Sequence, residues 1–137
     1  MRVTEDDVAR VPVGNLRVPR AEFVALWSAA ELRCDERPDW FAAGVAATCE
    51  WLGAAVIRPA AGPHYFAHSP ATGRAARAYE ELIEAECVAA ERLAARWPRP
   101  ATLERRPGWI EGITATFAWA WRHQGAVPLQ LDGVRAG

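Results

Sequence analysis

Three histidines, His64, His68 and His123, are the side chains whose type and spacing most directly invite chemistry. In "HYFAH" two imidazoles stand four apart, the offset at which helical residues share a face, and helical bundles can hold three-histidine metal centres. A metal- or small-molecule-binding helical enzyme using His64, His68 and His123 is therefore the alternative reading of this chain. Against it, Pro63 and Pro70 bracket the pair, Tyr65 and Phe66 intervene, and no glutamate completes an HExxH motif. Glu80, Glu81, Glu84 and Glu86 lack the histidine three positions on that di-iron bundles use, so they read as a solvated helix face. Cys34, Cys49 and Cys87 form an odd set without CxxC spacing and read as reduced core thiols. The patterns GxSxG, GxGxxG and the P-loop are absent. All 16 basic residues are arginine, which closes Schiff-base catalysis and points to the GC-rich genome of a bacterium. The motifs therefore name no catalytic residue and no cofactor.

The elements that would position these side chains are mostly helices. At 137 residues, 51% of them hydrophobic and 24% charged, the chain suits one globular domain. Helix A runs from about Pro19 to Cys34, with Phe23, Leu26, Trp27 and Ala30 as its apolar stripe. Helix B, about Asp39 to Ala55, takes Asp39 as N-cap and carries Glu50 as its one charge, which marks it as central. Helix C could start at the Ser69–Pro70 cap and run to Trp97, with Gly73 allowing a later start. Helix D opens at "RRPGW" and closes at Gly125. An internal repeat is not evident. The fold expected is an all-α bundle of four main helices. A small β element from the terminal segments is possible, because "VPVGNLRVP" reads as an edge hairpin and Val127, Leu129 and Leu131 alternate. Residues 1–18 form an N-terminal arm and 126–137 a C-terminal tail of the single domain.

Seven tryptophans are the unusual feature. Tryptophan suits both cores and interfaces, having a large apolar area and one N–H that wants a partner. In helix D, Ile110, Ile113, Phe117 and Trp121 form a stripe assigned to the core. The other side carries Gly112, Ala115, Thr116, Trp119 and His123. Either helix D is sandwiched within its own fold, or that second face meets another molecule. The contact surface expected is Gly112, Thr116, Trp119 and His123, with Trp97 and Arg99 on the stiff "WPRP" exit next. A net charge of −1 argues against nucleic acid, and no apolar run spans a membrane. Acids at positions 5 to 7, where a signal peptide would be apolar, point to the cytoplasm. The reading is a small, non-catalytic cytoplasmic protein that binds another protein or itself, as adaptor, regulator or assembly subunit, with a homodimer possible.

Overall fold

In the computed structural model, which describes residues 3–131, the helical spacing is realised as four long helices. They are α2 (Arg20–Glu36), α3 (Trp40–Leu52), α4 (Glu80–Ala95) and α6 (Trp109–Ala120). Two short helices, α1 (Glu5–Arg10) and α5 (Ala101–Glu104), precede and link them. Asp39 caps α3 by accepting from the Ala42 N–H at 2.7 Å. The small sheet pairs β1 (Val56–Ile57) with β2 (Tyr65–Phe66), antiparallel, with Val56 opposite Phe66. Among the described residues, no helix is long and apolar enough to cross a membrane.

Two expectations about elements are corrected. The β element is built in the α3–α4 connection, not by the termini. The "VPVGNLRVP" stretch instead holds a 3-10 turn at Val13–Asn15, and Val127 to Leu131 is irregular. Asn15 is buried and donates to the carbonyls of Leu52 (2.9 Å) and Ala78 (3.2 Å). A hairpin turn would leave that amide in water, whereas here it clasps the end of α3 to the approach of α4. Helix C does not start at Ser69 either. Ser69 organises a turn over 69–74, accepting from the Arg74 N–H at 2.8 Å and bonding the Thr72 hydroxyl at 2.9 Å. The buried Glu86 of α4 fixes the same turn, accepting from the N–H groups of Ala71 (2.6 Å) and Thr72 (2.8 Å) and the Thr72 hydroxyl (2.7 Å). Glu86 therefore leaves the solvated face expected of it, while Glu80, Glu81 and Glu84 stay exposed.

The main helix contacts run in the order α2, α3, α6, α4. Helices α3 and α6 lie parallel. Gly44 meets Trp109 and Ile113 near their starts, and Trp51 meets Phe117 edge-on at 6.2 Å near their ends. Both helices come close because glycines face each other's backbone. A Cβ on Gly44 would lie 2.2 Å from the Trp109 carbonyl oxygen, and one on Gly112 would lie 2.2 Å from that of Phe41. Four residues after each glycine, Thr48 and Thr116 donate their hydroxyls to the Gly44 and Gly112 carbonyls, both at 2.8 Å.

The two halves thus share a plan: a helix, a link, and a second helix entered through "RPDW" (37–40) or "RPGW" (106–109), followed by Gly-x-x-x-Thr. An internal repeat is present after all, as two helical hairpins joined through their second helices. Between them they bury Phe23, Leu26 and Trp27 of α2, Val45, Trp51 and Leu52 of α3, Ile83 of α4, and Ile110, Ile113 and Phe117 of α6.

A methyl group at either glycine must push two backbones apart, and overpacking of this kind costs about 1–3 kcal/mol or more. Gly112→Ala and Gly44→Ala should therefore each lower the urea midpoint clearly. Gly14→Ala, with nothing within 4 Å of the added atom, should leave it unchanged.

Candidate interaction surface

Helix α6 has α3 on one side and α4 on the other, so both of its apolar faces are used within the chain. Gly112 and Thr116 lie against α3 and are buried, which removes them from the expected contact surface. Trp119 is only 8% exposed. It lines a groove of about 580 Å³ with Ala21, Glu22 and Ala25 of α2 and Val127 and Leu131 beyond α6. His123 lies past the end of the helix, exposed, with φ of 55°.

Of the two tryptophans, Trp119 is buried although helical phase puts it on the second face, while Trp121 packs partly buried against the core as that phase predicts. Trp121 is the C-cap of α6, and its backbone N–H still donates to the Phe117 carbonyl at 2.9 Å. Its indole N–H donates to Glu84 at 3.0 Å, and the Arg17 guanidinium lies 4.1 Å from the ring centroid. The Trp121 N–H and the Arg122 charge hold the exposed Glu84 carboxyl below its ordinary range.

The three histidines do not converge on a metal site. His64 and His68 flank β2, with the His68 ring 5.3 Å from that of Tyr65, and both are exposed. Among the described residues, no group of three or more His, Cys, Asp or Glu could hold a metal ion. The cysteines are free; Cys49 and Cys87 are buried, and burial pushes all three thiols above their ordinary range.

The chemical feature that was missed is a carboxyl pair across α2 and α3. Glu31 is buried and accepts from the Trp27 indole N–H at 3.1 Å. Burial, and the Glu31 carboxyl hydrogen-bonded beside it, raise Glu50 from 4.5 to about 9. Glu50 thus keeps its proton at neutral pH and lines a recess of about 240 Å³ with Ala47, Ile57, Tyr65, Ala67 and His68. A held proton beside a histidine is the raw material of general acid–base chemistry. Here the proton is committed to Glu31, where it joins α2 to α3.

Trp40 at the start of α3 and Arg106 just before α6 are exposed, as are Val13, Leu32, Tyr65, Phe66, Tyr79 and Trp97 elsewhere along the chain. Trp97 is 87% exposed. Arg99 donates to Glu111 at 2.7 Å, which ties the "WPRP" exit to α6. Partial burial works the Glu111 carboxyl upward, but the Arg99 bond and charge outweigh it and leave it below the ordinary range. The Arg106 guanidinium lies 5.5 Å from the Trp40 ring centroid and 5.0 Å from that of Trp109. Trp40 is 43% exposed and borders a hollow of about 350 Å³ with Cys34, Pro38, Asp39 and Ala43. Trp97 is exposed, as expected, whereas Arg99 is half-buried; Trp40, Arg106 and Trp109 were not anticipated, although the doubled R-P-x-W motif marks all three. Compared with protein-family models, curated proteins and solved structures, the chain matches none.

Trp119→Ala should cost about 3–5 kcal/mol in chemical denaturation, as for other buried tryptophans; near-native stability would contradict its burial. For Glu50, the unfolded carboxyl releases its proton near 4.5 and the folded one near 9. The folded state holds the extra proton in between, so this stability is full below the lower value and is lost as pH rises toward the upper one. The thermal midpoint should therefore fall from pH ~6 to ~9 by several degrees more in the natural chain than in Glu50→Gln. Equal slopes would contradict the proton assignment.

Proposed function

We propose that the protein acts in the cytoplasm by binding another protein, without catalysis, through the corner formed by Trp97, Arg99, Arg106 and Trp40. The observation that carries this reading is Trp97, the largest side-chain type, left 87% exposed on a proline-stiffened link. Burying a large apolar side chain is worth about 1.5–3 kcal/mol, and this chain leaves most of that unrealised. Tryptophan and arginine are also the residues that most often dominate binding interfaces; here Arg106 lies against Trp40 and Trp109, and Arg99 follows Trp97 on the same link. A net charge of −1 adds little long-range repulsion against a partner. The groove beside Trp119 is a poorer candidate, because that ring is already covered by its own chain.

Trp97 touches little, so Trp97→Ala should leave the thermal midpoint within the small change usual for surface substitutions. The variant should nevertheless lose the partner that the natural chain retains from an extract of its source cells. Retention of the same partner at the same yield by the variant would overturn the reading.

A further inference from the structure

Helix α4 is an edge helix: it rests on α6 and meets the Val13–Asn15 turn. Its core side carries Ile83, Glu86, Cys87 and Ala90, all buried. The opposite side carries Glu81, Ala85, Val88, Arg92 and Ala95, with Arg96 at the C-cap, all exposed except Val88, which is half-buried. The stripe is acidic at its start, small and apolar in the middle, and basic at its end. At about 1.5 Å per residue, Glu81 and Arg96 lie ~22 Å apart along the axis.

We infer that this stripe is a self-complementary interface on which a second copy of the chain docks, α4 against α4, antiparallel about a two-fold axis between Val88 and Ala89. In that register Glu81 faces Arg96 of the second copy, Ala85 faces Arg92, and Val88 faces Ala89. Each acid–base pair then occurs twice, as a two-fold axis requires. The small central residues let the helix axes approach to about 8 Å. Parallel pairing is disfavoured by charge, since Glu81 would meet Glu81 and Arg92 would meet Arg92. Tyr79 (53% exposed) and Trp97 (87% exposed) flank the two ends of α4 and so border the paired helices. This inference rests on the protein-binding reading above, shares Trp97 with it, and adds α4 as the surface for a second copy.

Sedimentation velocity over a hundredfold concentration range, up to ~1 mM, tests it. The natural chain should move from 15.0 kDa toward twice that mass. Glu81→Arg and Arg96→Glu should each raise the dissociation constant at least tenfold while leaving the circular dichroism spectrum and thermal midpoint unchanged. Combined in one chain, the two reversals should restore the dimer. Dimerisation that survives both single reversals, or is not restored by the pair, overturns the inference. A natural chain that stays at 15.0 kDa throughout also overturns it. The protein-binding reading survives that last result if Trp97-dependent capture of a different protein persists, and falls with the inference if it does not.

Discussion

At the centre of the molecule, two carbonyl oxygens occupy the space that two Cβ atoms would need. The Phe41 and Trp109 carbonyls lie over Gly112 and Gly44, each 2.2 Å from where a methyl carbon would be. The helix axes can come this close only because both positions lack a side chain, and the approach fixes which faces of α3 and α6 remain for everything else. On α3 the remaining faces take α2 and the loop to α4. On α6 they take α4, which is why neither apolar side of α6 is left for water. Thr48 and Thr116 sit one turn on, where their hydroxyls are satisfied by their own helices and ask nothing of the opposite one.

The helices were readable from spacing and caps, and the small-residue side of helix D was correctly seen as a place for close approach. Its owner was not readable. Gly44 lies in "FAAGVAAT" and Gly112 in "WIEGITAT", and the correspondence is hidden by a one-residue offset from the preceding R-P-x-W motifs. The first helices of the two hairpins, α2 and α4, also differ in their apolar pattern. Without the repeat, four helices offer no obvious way to bury α6 twice. With it, α6 and α3 are equivalent central helices, and α2 and α4 are their outer partners. The burial of Trp119 follows from the same two-sided packing of α6, whereas Trp121, at the C-cap, stays against the core while its indole N–H reaches Glu84.

Buried polar groups were the least legible part. Asn15 resembles a turn residue, Glu86 a surface acid and Glu31 an ordinary helix charge, and each becomes internal only through a partner distant in sequence. Glu50 gave the one usable signal, as the single charge on an otherwise apolar helix. These groups lie at the joins between elements, where directional bonds set register in a core otherwise filled by alanines and a few large rings. The aromatic corner escaped for a related reason: Trp40, Arg106 and Trp109 come from two hairpins and meet only because α3 and α6 start at the same end.

The parallel setting of the central helices also makes the 53–79 connection a tether between two halves that bind each other. A tether of this kind acts through the effective concentration it maintains, and for a loop doubling the length costs only about 0.6 kcal/mol of closure entropy. Its anchored parts are the β1–β2 pairing and the Ser69–Thr72–Glu86 clamp. The exposed run from Ala60 to His64, between β1 and β2, carries little of the fold's stability. That run is where the chain can accept inserted sequence while the two halves remain joined.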